Sequence, residues 1–391
     1  MVDQPVPVPL DESQLIAAAE AATGLSDWGD DSSYLIGLRV LLESLRGVDP
    51  GPVLLATSSA RILGLLSARL QLINDAKQHP EILAIEIKRP VVIIGLPRTG
   101  TTVTYDLLAL DPAARSPRNW EWAMPWPAPE AATFDSDPRI AFLDGMFAQM
   151  LAVAPDLAKI QNISATQAGE CNLGFTNHFA STDFWAEWDV PEYTKWLCNT
   201  VVTDRYRTHK RLLQQFQWKG PQGRWTIKSP EHMFDLAGLT ATYPDACMVW
   251  THRDPVQAFS SLSSMVQQFR KAWGLSTEPK SIGREIVNIW TTALERATQA
   301  RADNPAIDSA VIDVAHRDVI SDKVAVVRRI HDYFELPFTA EYEQRLIGGA
   351  VNKVTGRFGQ HRHSPAEFGI DAAEVRERLP NYYARFGPLL D

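Results

Sequence analysis

The sequence predicts an α/β fold: a three-layer parallel sheet with flanking helices, preceded by a helical N-terminal segment. Three observations carry this expectation. Short, mostly apolar runs at Val91-Val92-Ile93-Ile94, Trp225-Thr226-Ile227-Lys228 and Ala246-Cys247-Met248-Val249-Trp250 each pass straight into residues that start helices. Such runs are the pattern of parallel strands covered on both faces. The residues before Pro90, by contrast, carry helical spacing and no strand signal.

Taken in order, helices are expected over Glu12 to Ala22, over Ser32 to Leu45 after Asp30-Asp31, and over Ser58 to His79, where Pro80 stops the last. Residues 1–88 read as a helical segment packed on a single nucleotide-binding domain spanning 89–391. The proline-rich patches Gln4 to Pro9 and Pro125 to Pro129 read as loops. After the first strand comes Gly95-Leu96-Pro97-Arg98-Thr99-Gly100-Thr101-Thr102. From Thr101 to Leu110 there is no Gly or Pro, and Val103, Leu107, Leu108 and Leu110 gather on one side of a helix. Strand, glycine loop and helix together aim backbone N–H groups and a positive helix end at one anion, and phosphate is the natural guest. The spacing Gly95-x-x-x-x-Gly100 matches a phosphate loop of the P-loop NTPase type, but Thr101 stands where that motif has its lysine. Arg98 supplies a positive charge within the loop instead.

The second junction is Thr251-His252-Arg253-Asp254-Pro255, with Asp254 as N-cap and Pro255 as first helical residue. Val256, Phe259, Leu262, Val266 and Phe269 then mark a buried helix face, and Ser261 falls elsewhere on that helix. Ser229 and Pro230 open the third junction after Lys228 in the same manner. The carboxyl ends of parallel strands share one edge, so all three junctions are expected to meet in one crevice with Lys228 facing it.

On Pro97-Arg98-Thr99-Gly100-Thr101-Thr102 the chain resembles the sulfotransferases, whose 5′-phosphosulfate loop reads Pro-Lys/Arg-Ser/Thr-Gly-Thr-Thr. The resemblance runs from about Arg89 to Phe368. It implies a P-loop NTPase-like fold of the sulfotransferase type and 3′-phosphoadenosine 5′-phosphosulfate (PAPS) as sulfate donor, held at its 5′ end by the six loop residues. Arg253 and Ser261, eight positions apart, match the arginine and serine that the family presents to the 3′-phosphate. Lys228 resembles the lysine that stabilises the departing bridge oxygen. A basic, glycine-containing C-terminal segment closes over the nucleotide in the family, which makes Arg357 and Arg362 further candidates. The proton of the acceptor hydroxyl needs a base: Glu121 and His232 are the candidates, with Glu170 and His178 in reserve. Two departures stand out. His232 follows Lys228 at four positions rather than two, and Val103 replaces the tryptophan that stacks on adenine in cytosolic members.

Composition sets the limits. The chain has 391 residues and a formal charge of −9, which argues against nucleic acid as a general partner. The start Met1-Val2-Asp3-Gln4-Pro5 is unlike a signal peptide, and no continuous run of 18 apolar residues occurs, so a cytoplasmic protein without a transmembrane segment is expected. Cys171, Cys198 and Cys247 are odd in number and widely spaced, which suits reduced thiols. Neither paired cysteines nor a His-Glu-x-x-His pattern is present, and no metal is expected. Trp120, Trp122, Trp126, Trp185, Trp188 and Trp196 are half of the 12 tryptophans. Their concentration favours core and an apolar, phenolic or lipid-like hydroxyl acceptor over a charged polysaccharide. Two other readings stand beside transfer of sulfate. One is a nucleotide kinase or ATPase, with Asp313 after Ala310-Val311-Ile312 as magnesium ligand; the other is a non-catalytic nucleotide-binding module.

Overall fold

In the computed structural model, residues 7–48, 51–155, 157, 163–352 and 363–390 are described. Contacts group the chain into two compact units. The first comprises Met1–Glu86, Glu121–Phe134 and Asn172–Pro221, and the second Ile87–Trp120, Asp135–Cys171 and Gln222–Asp391. The N-terminal helices thus share their unit with two later stretches, which no shift of composition announces.

The first unit is helical. Glu12–Thr23 begins where the Asp11 carboxylate accepts from Gln14 N–H and ends at Gly24 in the left-handed region. Tyr34–Gly47 follows, and then Pro52–Gln78, which starts at Pro52 rather than Ser58 because proline is pre-set for the first helical turn. Leu38, Leu41, Ile62, Leu66 and Leu70 from these helices pack with Phe179, Phe184 and Tyr193 in one core. Pro52–Gln78 is also long and apolar enough to cross a membrane by length and composition, with a best-window mean hydropathy of 1.4. Here it packs against Glu12–Thr23.

The second unit is built on a five-stranded parallel sheet of β1 (Val91–Ile94), β2 (Ala114–Arg115), β3 (Arg224–Lys228), β4 (Cys247–His252) and β5 (Val311–Ala315). Their spatial order is β2-β3-β1-β4-β5. Every residue of β1 and β4 is buried, as a sheet covered on both faces requires. Val91, Ile93, Val249, Ile312 and Val314 meet Tyr105, Leu107, Val327 and Ile330 in the core over one face. The helix after the glycine loop, Thr101–Leu108, stops two residues short of the sequence expectation. β4 runs on through Thr251 and His252, which the sequence assigned to the junction.

β1 lies between β3 and β4, so the chain leaves it toward one side and later returns on the other. This is the switch point at which an open parallel sheet forms its crevice. Ile93 is level with Lys228, and Ile94 with Trp250, so the loops after β1, β3 and β4 emerge side by side. Gly95 makes this approach possible. Its φ is +126°, and a Cβ there would lie 2.6 Å from Thr251 O and 2.7 Å from Thr251 Oγ1. Gly95→Ala is therefore expected to destabilise the protein by about 2–4 kcal/mol, through backbone strain and a clash that only backbone movement relieves. A melting curve unchanged from the parent would refute that expectation.

Candidate active site

The loop after β1 is wound tightly. Arg98 and Gly100 have φ of +72° and +90°. The fully buried Thr99 hydroxyl donates to Leu96 O (2.7 Å) and meets Thr251 Oγ1 at 2.6 Å, which fastens the loop to β4. Thr99 is thus used inside the protein, Thr101 is buried, and Thr102 at the start of the helix is exposed. Pro97 is half-buried.

Arg98 reaches across the crevice mouth. Its Nε donates to Ser261 Oγ at 3.2 Å, and Arg253 donates back to Arg98 O, also at 3.2 Å. Asp254 caps the helix Pro255–Ala272, which carries Ser261, by accepting from Val256 N–H at 2.8 Å. Partial desolvation, and then the like charge of Arg253, lower the Arg98 pKa even though the residue stays exposed to solvent. Among the described residues neither arginine has a carboxylate partner. Two arginines side by side without a carboxylate partner among the described residues, next to a glycine loop at a helix start, give this corner a local positive charge suited to an anion.

Lys228 ends β3 and is 3% exposed. Its Nζ donates to Glu170 Oε1 and, at 3.3 Å, to Thr102 Oγ1, and it lies 5.8 Å from the centre of the Tyr105 ring. The Tyr105 hydroxyl donates to Gly169 O at 3.2 Å, and Gly169 N–H to Pro117 O at 2.8 Å, which fixes the backbone beside Glu170. Burial pushes the Tyr105 hydroxyl and the Cys171 thiol well up, so both stay neutral and the charges of this corner are those of Lys228 and Glu170. The Glu170 side chain keeps 30% exposure, so it can meet both Lys228 and an incoming molecule.

The other residues nominated by the sequence are spread more widely. His232 is fully buried on the short 3₁₀ turn Pro230–Phe234, which Ser229 caps by accepting from Glu231 N–H. Glu121, also fully buried, lies on Asn119–Ala123 and belongs to the first unit, as does His178. Arg357 and Arg362 lie outside the described residues. His363, where the described chain resumes, has Nδ1 2.8 Å from Ser260 Oγ, next to Ser261. Glu170 stood only in reserve in the sequence reading: it is 58 positions from Lys228 and in no recognisable spacing with it. The aromatic cluster is mostly core, with Trp120, Trp122, Trp185 and Trp188 buried and Trp126 exposed.

Asp313, the magnesium ligand of the ATPase reading, is already neutralised. Arg301 donates to it at 2.6 and 2.9 Å, and His252 Nε2 lies 2.8 Å away with Nδ1 2.9 Å from the Tyr382 hydroxyl. Burial alone would raise this carboxyl, but the His252 and Arg301 hydrogen bonds outweigh it and bring it to about 2. Among the described residues there is no group of three or more His, Cys, Asp or Glu that could hold a metal ion.

Known proteins share this fold. The solved structure of sulfotransferase STF1 from Mycobacterium tuberculosis superposes with a TM-score of 0.80 at 31% identity, covering 95% of this chain and 99% of that one. Sulfotransferase STF9 from Mycobacterium avium superposes with a TM-score of 0.83 at 25% identity, covering 99% and 98%. The omega-hydroxy-beta-dihydromenaquinone-9 sulfotransferase Stf3 of Mycobacterium bovis is 23% identical over 315 residues, 71% of this chain and 76% of that protein. The model of the sulfotransferase family matches residues 90–340, which include the whole span from β1 through β5, and the chain belongs to the sulfotransferase family.

Proposed function

We propose that this transferase moves a sulfuryl group from PAPS to the hydroxyl of an apolar, lipid-like acceptor. The observation that carries the donor is the meeting of Arg98, Arg253 and Ser261 at the mouth of the glycine loop, two cations with no carboxylate between them among the described residues. A donor with a single phosphate at its 5′ end fits a loop in which Thr101 replaces lysine, and a 3′-phosphate explains the second arginine. Arg357 and Arg362, outside the described residues, are kept as further candidates for the 3′-phosphate on the sequence resemblance alone. Lys228 lies one strand away and can neutralise charge that develops on the bridge oxygen. Glu121 and His232 are the proton acceptors that the sequence nominates, and of these His232 shares the unit of Lys228.

Two features support an apolar acceptor. The Mycobacterium bovis relative is named for a hydroxylated menaquinone lipid. In addition, Pro138–Val153 exposes Phe142, Met146 and Val153, and its Asp144 accepts from Ala165 N–H at 2.7 Å, five positions before Glu170. Exposed apolar side chains on a helix joined to the segment that carries Glu170 suit a ligand with a hydrocarbon tail.

The test is calorimetric titration in excess chelator with 3′,5′-adenosine bisphosphate and with ATP. The expected result is at least roughly tenfold tighter binding of the bisphosphate, with most of that preference lost in Arg253→Ala, since a charge-assisted contact is worth about 1.5–3 kcal/mol. Equal affinity for ATP would sink the reading, because phosphoryl transfer would then be the better account and would require magnesium.

A further inference from the structure

We infer that the Lys228–Glu170 ion pair is a donor-operated latch, and that Glu170 is the base that removes the acceptor proton once the donor has drawn Lys228 away. This rests on the proposed sulfuryl transfer and assigns a role in it to a residue that neither the loop motif nor the family spacing marks.

In the structure the Lys228 ammonium has two oxygen partners, Glu170 Oε1 and Thr102 Oγ1. A buried lysine needs such a counter-charge, because an unpaired ammonium at 3% exposure would be costly. The same ammonium is the group proposed to meet the bridge oxygen of the donor, at the helix start where Thr102 sits. An ammonium has three N–H groups, so it can hold Thr102 and a nucleotide oxygen together. An added anion beside it weakens the attraction of Glu170. The carboxylate, which keeps 30% exposure, is then free to turn toward the acceptor. The backbone next to Glu170 is held by Tyr105, Pro117 and the bridge between Arg118 and Ala168, so the side chain rather than the loop makes the movement.

The chemistry balances. The acceptor oxygen forms a bond to sulfur while the bond from sulfur to the 5′-phosphate oxygen breaks, with its electron pair passing to the departing bisphosphate. Lys228 donates a hydrogen bond to that oxygen. The acceptor proton passes to a Glu170 oxygen, which becomes a neutral carboxylic acid and later returns the proton to water. Before the donor arrives the Glu170 carboxylate is held by Lys228, so an acceptor bound alone does not meet it. The order donor, then acceptor, is built into the pair.

The latch makes a prediction of unusual sign. In Glu170→Gln the competitor for Lys228 is gone, so 3′,5′-adenosine bisphosphate should bind about 3–10-fold more tightly than to the parent, the range expected for a modest coupling between two ligands of one group. The gain should vanish when the same substitution is made in a Lys228→Ala background, as a double-mutant cycle requires of a direct pair. With PAPS and geranylgeraniol dispersed in detergent as probe acceptor, the same variant should transfer sulfate about 10²–10³-fold more slowly. Glu170→Asp, a shorter base, should recover part of the rate. Thermal melting of each variant checks the fold. Unchanged or weaker bisphosphate binding by Glu170→Gln overturns the latch while leaving the donor site intact. Undiminished transfer overturns Glu170 as the base. A parent that binds no bisphosphate brings down the inference together with the reading beneath it.

Discussion

Replacing Lys228 with alanine is expected to lower turnover by roughly 10²–10³-fold while weakening the binding of 3′,5′-adenosine bisphosphate by less than about tenfold. The asymmetry follows from when the charge appears. In the bound donor the bridge oxygen is nearly neutral, whereas at the transition state it takes up the charge of the departing phosphate. A preorganised ammonium at 3% exposure acts on that difference in a medium of low polarity, where one donor is worth about 3–4 kcal/mol. The variant should fold, because the Glu170 left behind keeps 30% exposure and water can solvate it. Single-turnover transfer from PAPS, read beside calorimetric titration and a melting curve, checks both halves. Equal turnover would remove Lys228 from the chemistry. A loss in binding as large as the loss in rate would make it a donor-binding residue only.

Acidification is expected to destabilise the protein through buried histidines, two of which lie in the helical first unit. His178 and His209 are buried and neutral, each brought down from 6.5 to about 3. For His178 the causes are burial and then the nearby Arg69 charge; for His209 they are burial and then Arg205. His178 Nδ1 lies 3.0 Å from Thr208 Oγ1, and the His209 ring stacks on Trp122 at 5.4 Å with Phe175 at 5.3 Å. The sign is that of depressed folded-state values. Above about pH 6.5 both states hold the imidazoles neutral and the stability is fully present. Below it the unfolded chain binds protons that the folded chain refuses, and stability falls until pH nears 3. Each histidine contributes about 1.4 kcal/mol per pH unit, so at pH 5 the two together cost about 4 kcal/mol. Burial also lowers His252 and His331 in the second unit and raises the Glu187 carboxyl in the first, so the share of His178 and His209 is isolated by substitution. Urea denaturation at a series of pH values should show this slope, and His209→Phe, which keeps the ring stack, should lower it by about 1.4 kcal/mol per pH unit. A slope that is flat in the parent would mean that these imidazoles find protons in the folded state.

The fold and the meeting of its loops were legible because their signals are local. A β-branched run, a glycine loop and a helix start are written in consecutive residues, and parallel strands share one carboxyl edge, so the meeting of the loops after β1, β3 and β4 could be expected without coordinates. The eight-position step from Arg253 to Ser261 spans a cap and two turns of one helix, which makes it a distance as well as a spacing. The roles of individual hydroxyls were not legible. Thr99 sits in the motif beside Thr102, yet its side chain is spent on Leu96 and Thr251, because the loop must be tied to β4 before it can hold a ligand. The membership of the units was hidden as well, since Glu121–Phe134 and Asn172–Pro221 join the N-terminal helices through burial of apolar side chains rather than through chain order.

By itself the sequence determined the layered sheet, the glycine loop with Thr101 in place of the usual lysine, and the arginines placed at the loop and at the next junction, all encoded over spans of one strand, one turn or one helix. Only the tertiary structure decided which carboxylate faces Lys228. Glu170 and Lys228 lie 58 positions apart and meet because β3 pairs with β1 while the backbone at Gly169 is held by Tyr105 and Pro117. A contact of that kind depends on how separate elements close on one another, and no local pattern of residues records it.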